Sequence, residues 1–288
     1  MAVGSDPQNV FTVDLEEWFH VCGVGGPLSQ DNWDRLPSRV EPTTRSLLDL
    51  LDRANVRATF FIVGWIAERH PRLVEEVRAA RHEIGSHSYS HQRVYELGPD
   101  AFRDDFRKSV RALAAAGAAP ITMFRAPEWS INDRSPWALA TLVEEGVELD
   151  ASMAPIRIVG DVTYPRYPHR RHTAAGLITE VPPLVSDRLG QVMPMGWGWG
   201  LRMSSPRRVL REIEAVNRFG LPALLAVHPW ELDPDPPRVR LPAALRFAHY
   251  FRLSGFRERL RQIVGGAAFG CIGDMALISS IRERIRER

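Results

Sequence analysis

Thr43–Val63 reads TTRSLLDLLDRANVRATFFIV. Leu47, Leu48 and Leu51 fall on one side of a helix spanning Thr43–Ala54, and Arg57–Val63 (RATFFIV) has the short, apolar, aromatic and β-branched character of a strand buried on both faces. A helix feeding such a strand within a few residues is half of a β/α repeat, and the alternation continues both ways. Upstream, Val10–Asp14 reads as a first strand. Downstream come a helix at Leu73–Ala80, a strand at Glu83–Ser86, a helix at Asp100–Ala116 and a strand at Thr122–Arg125. A helix at Asp133–Glu145 follows, entered through Asn132–Asp133, a capping sequence. Beyond Asp150 the pattern weakens: Met153–Ala175, rich in Pro, Arg and His, reads as a long excursion before a strand at Leu177–Val181. Pro206–Phe219 is then a helix, Ala223–His228 a strand, Leu241–Ile263 mostly helical and Phe269–Ile272 a final strand, with a helical or frayed tail. The expected class is α/β, a parallel sheet covered by helices.

The 288 residues fit one barrel-sized domain, and a 44% hydrophobic, 25% charged composition is that of a soluble chain able to bury a core. Thirty-seven basic residues nearly cancel 35 acidic ones, for a net charge of +2, so nucleic acid is not indicated. The segment Pro165–His172 (PRYPHRRH) is locally basic and could attract an acidic group, or simply form a solvated loop. Cys22 and Cys271 are too few and too far apart for a disulfide framework or a thiolate zinc site. The amino terminus MAVGSDPQNV lacks the basic-then-apolar pattern of a leader, and nowhere do 18 uninterrupted apolar residues occur, so a cytoplasmic protein with no transmembrane segment is expected. Oligomeric state is left open.

Four clusters carry chemistry. In Thr12–His20 (TVDLEEWFH), strand alternation would place Asp14 and Glu16 on one face, two carboxylates side by side; such acids also serve as ordinary turn residues. In Gly85–His91 (GSHSYSH), His87 and His91 are four apart, and on a helical turn their β-carbons would lie roughly 5–6 Å apart, close enough to share an ion. In Phe124–Trp129 (FRAPEW), Arg125 can fix a carboxylate and Trp129 can wall a sugar pocket. In Ala226–Glu231 (AVHPWE), His228 ends a strand with an imidazole suited to proton transfer near neutrality. Asp14, His87, Arg125, Asp150 and His228 all fall at or just after strand C-termini, which converge on one mouth in a parallel barrel.

In their order, these clusters resemble the polysaccharide deacetylases of the NodB-homology group (carbohydrate esterase family four), whose motifs run acid pair, H-S/T-x-x-H, R-x-P-x-W/F/Y, then a late strand ending in histidine. The sequence is most similar to the branch associated with exosortase and exopolysaccharide gene clusters, through FTVDLEEWFHV at Phe11–Val21, ATFFIVGWIAERHP at Ala58–Pro71, EIGSHSYSH at Glu83–His91, FRAPEWSI at Phe124–Ile131, HPWELDPDPPR from His228 and RFAHY ending at Tyr250. The resemblance covers Val10 to about Phe256. It implies a distorted, incomplete parallel β/α barrel forming one catalytic domain over residues 1–288, with a family-specific extension from about residue 229. It also implies one divalent metal, zinc by preference, and removal of an N-acyl group, acetyl by preference, from an amino sugar that is free, polymeric, lipid-linked or nucleotide-linked.

Mapped onto this chain, the resemblance makes Asp14 the base, His228 the acid, Arg125 the residue orienting the base, and His87 and His91 the imidazole ligands. Glu16 is the carboxylate ligand from alternation and from relatives with an acid-x-acid motif. Glu17 competes with it, because Asp14-Leu15-Glu16-Glu17 departs from the adjacent aspartates of many relatives and from the D-x-E-D of this branch. Trp129, Trp197 and Trp199 would contact the sugar, the latter two within the glycine-rich Gly196–Gly200, although core packing serves them equally well. Asp150 and Ser152 would support the site. Two other readings keep this barrel: a deformylase or cyclic-amide hydrolase, and a carbohydrate-binding relative without turnover.

Overall fold

The computed structural model describes residues 8–188 and 190–275. Its strands and helices alternate as β1 (Asn9–Leu15), α1 (Val40–Arg53), β2 (Thr59–Ile62), α2 (Gly64–Arg69), α3 (Pro71–Ala79), β3 (Glu83–Ser86), α4 (Val94–Leu97), α5 (Pro99–Ala115), β4 (Met123–Phe124), α6 (Ala138–Glu144) and β5 (Leu149–Asp150). There follow β6 (His169–Thr173), β7 (Gly176–Glu180), β8 (Val185–Arg188), β9 (Gln191–Pro194), α7 (Gly198–Met203), α8 (Pro206–Asn217), β10 (Leu224–Val227), α9 (Ala243–Tyr250), α10 (Phe256–Val264) and β11 (Phe269–Gly270). The main sheet runs β10-β1-β2-β3-β4-β5-β7-β6, with β11 also on β1. All its pairings are parallel except β6 with β7.

Strand alternation divides the core. Phe11, Val13 and Leu15 of β1 and Phe60 and Ile62 of β2 pack outward under the helices, together with Leu47, Leu51, Leu73, Val77 and Leu260. Each such fully buried side chain contributes about 1.5–3 kcal/mol. Val10 and Phe61 face the opposite way, into a smaller cluster with Met123, Trp129, Trp197 and Ala226. Thr12 and Asp14 share the parity of Val10, so the two-residue period delivers them to the inside of the barrel.

The barrel is open. Among the described residues no strand joins β10 to the β7 end of the sheet. The gap is crossed by irregular backbone: Leu184 N–H donates to Leu224 O at 2.9 Å, Ala226 N–H donates to Gly196 O at 2.7 Å, and Trp197 bridges to Ala226. This is the distorted, incomplete parallel β/α barrel expected from the resemblance.

Several local expectations need correction. The helix anticipated from Asp133 starts only at Ala138; Pro136 disfavours helical backbone at Ser135, and Asn132 instead closes a turn by accepting Arg134 N–H at 3.0 Å. The helix anticipated over Leu241–Ile263 is split into α9 and α10, with Arg252 at φ 53° and Gly255 at φ 73° between them. The excursion over Met153–Ala175 contains β6, whose arginines and histidines lie on an antiparallel edge, where charge discourages further strand pairing. The β8–β9 hairpin and α2 were not anticipated. The arginine-rich tail Ile281–Arg288 lies outside the described residues. No helix among the described residues is long and apolar enough to cross a membrane.

Candidate metal centre

Glu16 follows directly on the end of β1, while His87 and His91 lie in the loop after β3. Their ligand atoms all lie within 4.8 Å of one another, the one such His/Cys/Asp/Glu cluster among the described residues. The loop is not the helical turn anticipated for a pair four apart: Ser88 has φ 60° and His91 φ 49°. It bends because Gly64 N–H, at the start of α2, donates to Ser88 O at 2.8 Å, and His91 N–H donates to Ser88 Oγ at 3.0 Å.

The donor set fits a cation. His87 Nδ1 donates to Arg125 O at 2.8 Å, leaving the Nε2 lone pair for the centre. His91 Nε2 is buried without a hydrogen-bond partner and stands 2.5 Å from Glu16 Oε2, which is also 3.7 Å from His87 Nε2. Burial alone would raise the Glu16 carboxyl, but His91, His228 and His87 hold it well below its ordinary range, so it is an anion facing two imidazoles. Trp230 Nε1 donates to Glu16 Oε1 at 3.0 Å and fixes the carboxylate plane.

Beside this cluster Asp14 is paired with Arg125, Nη1 to Oδ1, at 2.8 Å, with both side chains buried. Arg125 is held by Thr12 Oγ1 at 2.7 Å and Ala151 O at 2.9 Å, and its guanidinium lies 4.6 Å from the Trp129 ring. The other Asp14 oxygen faces His228 Nε2 at 3.9 Å. Burial pushes the His228 imidazole down, but Glu16, Glu231 and Asp14 outweigh it and raise it to about 9. Its Nδ1 donates to Glu231 Oε2 at 3.0 Å, and Glu231 is in turn paired with Arg202 at 2.7 Å.

These groups line a cavity of about 290 Å³ walled by Trp129, Trp197, Trp199 and Trp230. Trp197 is mostly packed, against Trp129 at 5.2 Å between ring centroids, whereas Trp199 is half-buried. Asp150 stays behind the cavity. It accepts from Ser152 Oγ at 2.6 Å, and Ser152 Oγ accepts from Ala126 N–H at 2.8 Å, bracing the turn that carries Arg125. Burial and the charge of Asp150 push the Glu180 carboxyl well above its ordinary range.

Glu17 is not brought to the cluster. Its carboxylate points away from the barrel, accepting from Ser38 Oγ, from Arg39 N–H at 2.9 Å and from Val40 N–H at 3.1 Å. It therefore satisfies the open amides at the start of α1, work that adjacent acids in a sequence do not reveal. Replacing Glu17 by Ala should cost about 0.5–2 kcal/mol, as loss of a helix cap does, and leave cation affinity unchanged. Denaturant unfolding alongside metal titration checks both halves.

Glu231, Arg202, Trp230 and His20, all of which line the cavity, escaped sequence reasoning. Glu231 alone carried a signal: His-Pro-Trp-Glu puts proline at the first position of a helical turn and an acid at its third, a capping signature, and Glu231 Oε2 accepts the His228 backbone N–H at 3.0 Å. The basic segment Pro165–His172 contributes nothing to the cavity lining.

Comparison with known proteins gives two family matches: polysaccharide deacetylase over residues 31–144 and a domain of unknown function, DUF3473, over residues 151–276. The chain is 38% identical over 78 residues to a peptidoglycan-N-acetylglucosamine deacetylase of Bacillus cereus, covering 27% of this chain and 28% of that protein. It is 30% identical over 73 residues to a chitooligosaccharide deacetylase of Bradyrhizobium, covering 25% and 33% respectively. The chain thus spans less than half the length of these relatives. A solved structure of a candidate polysaccharide deacetylase from Mycobacterium smegmatis superposes with a TM-score of 0.62 at 20% identity, over 100% of this chain and 93% of the other, a likeness of fold. With the ordered motifs and this architecture, residues 31–144 form a polysaccharide deacetylase domain, continued over residues 151–276 by the DUF3473 region.

Proposed function

We propose that this protein is a metal-dependent hydrolase that removes an N-acyl group, acetyl by preference, from an amino sugar or an N-acetylated saccharide. One observation carries the reading: three metal-competent side chains, a carboxylate fixed by a buried arginine and an imidazole fixed by a buried glutamate meet in one tryptophan-walled cavity. Glu16, His87 and His91 would hold the cation, and two imidazoles with one carboxylate suit zinc. When bound, a divalent cation lowers the pKa of water and polarises an amide carbonyl.

The chain's own groups divide the proton work. Asp14 accepts a proton at Oδ2, because Oδ1 is committed to Arg125. His228 delivers one from Nε2 to the departing amine, because Nδ1 is committed to Glu231. A cation on Glu16 would offset that carboxylate's pull on the imidazole, leaving Glu231 and Asp14 to keep it protonated. The tryptophans offer apolar faces to a sugar ring. The DUF3473 region is integral to this reading, since Trp197, His228 and Glu231 all come from it and β7 and β10 belong to the same sheet as β1.

The test is mass spectrometry of an N-acetylglucosamine oligomer incubated with the protein. Loss of acetyl groups, stopped by a chelator and restored by zinc, is expected. Inertness toward the oligomer together with hydrolysis of a formamide or a cyclic amide would transfer the same machinery to the alternative substrate class.

A further inference from the structure

The loop between the two histidine ligands is gripped from outside the cavity. Asp105, half-buried on α5, accepts from Tyr89 N–H at 2.8 Å and from Ser90 N–H at 2.9 Å, one amide to each carboxylate oxygen. Tyr89 and Ser90 are themselves buried, so these two amides have little access to water as a substitute partner. The loop carbonyls are met from the other side: Gly64 N–H donates to Ser88 O at 2.8 Å and Trp65 N–H to Tyr89 O at 3.3 Å.

One turn further along α5, Ser109 Oγ hydrogen-bonds Ser86 Oγ at 2.8 Å. Residues four apart share a helix face. That single face therefore holds the residue before His87, through Ser109, and the two residues before His91, through Asp105. The helices must approach closely for this, and a Cβ on Gly64 would come within 2.7 Å of Ser109 Cα and 2.9 Å of Tyr89 Cδ2.

We propose that Asp105 is a positioning residue of the metal centre, which clamps the Tyr89 and Ser90 amides between His87 and His91 and so sets the spacing of the two imidazoles before a cation arrives. The proposal rests on the metal-site reading above. Without the clamp, the left-handed backbone at Ser88 and His91 loses two of the bonds that impose it, and part of the cation's binding free energy goes into ordering the loop.

The test compares Asp105→Ala and Asp105→Asn with the unaltered full chain. Zinc affinity is measured by competition with a chromophoric chelator, and amide hydrogen exchange at Tyr89 and Ser90 in metal-free protein. We expect Asp105→Ala to bind zinc about ten- to a hundredfold more weakly, the usual range for losing an outer support of a metal ligand. Asparagine, with one acceptor oxygen, should fall between. Exchange at both amides should accelerate, and kcat should recover at saturating zinc with KM unchanged, which a general loss of folding would not produce. Zinc affinity and exchange unchanged in the asparagine variant, and in the alanine variant if it folds, would overturn the clamp alone. No zinc binding by the unaltered chain would overturn the metal centre and the clamp together.

Discussion

Replacing Asp14 by Asn is expected to lower the deacetylation rate by about two to four orders of magnitude while leaving zinc affinity close to that of the unaltered protein. Asparagine has nearly the same shape, and its side-chain oxygen can still accept from Arg125, now at 2.8 Å from the carboxylate. What it cannot do is take a proton, and positioned acid–base groups contribute on this scale. The variant will lose some stability, because Arg125 is fully buried and its formal counter-charge is removed. The retained hydrogen bond, with those to Thr12 and Ala151, keeps that loss below the about 3–5 kcal/mol typical when a buried pair is broken outright. Steady-state rates, equilibrium dialysis with zinc and urea unfolding separate the three effects. A variant that retained a tenth or more of the rate would remove Asp14 from the proton-transfer step, and retained glycan binding without turnover would show that recognition does not need it.

The parallel architecture was legible because β1 and β2 have the length and the β-branched and aromatic composition of buried strands, and α1, α3 and α5 have one apolar face. Legibility failed where structure depends on contacts remote in sequence. The His87–His91 loop is the clearest case: its backbone is bent by Gly64 and Asp105, neither marked by local periodicity. Strand alternation favoured Glu16 but left Glu17 a competitor, and it is the position of α1 that turns Glu17 outward to cap it. The hairpin β8–β9 and the closing bridge at Trp197 carry no periodic signal, because the segment pairs through a few backbone groups.

The site is composite along the chain. Asp14 and Glu16 precede the segment matched as polysaccharide deacetylase, and His228 lies in the segment matched only as a domain of unknown function. What unites them is register: β1 lies between β2 and β10, with Val13 opposite both Phe60 and Val227. Strand ends in register place Asp14 and His228 at the same level of the barrel mouth. Neither segment would therefore be expected to bind the cation and transfer protons alone.

Glu231 is where this composite character has its largest energetic consequence, and Glu231→Ala is the second substitution expected to have a large effect. The carboxylate is fully buried, accepts both the backbone N–H and Nδ1–H of His228 at 3.0 Å, and neutralises a nearly fully buried Arg202. Arg202 also donates to the carbonyls of Ala248, His249 and Phe251, tying the segment around α9 to the cavity floor. Removing the carboxylate strands a guanidinium that those carbonyls only partly satisfy, so a loss of about 3–5 kcal/mol in unfolding free energy is expected. Glu231→Gln keeps an acceptor for His228 and preserves the packing, so it should fold with a smaller penalty. Its kcat should still fall by about a hundredfold, the lower end of what a misplaced acid costs, with KM and zinc affinity unchanged. A glutamine variant with normal kcat would leave Glu231 a purely structural counter-ion to Arg202. The predicted split, in which alanine loses both stability and rate and glutamine mainly rate, requires the same buried carboxylate to hold the imidazole and the arginine at once.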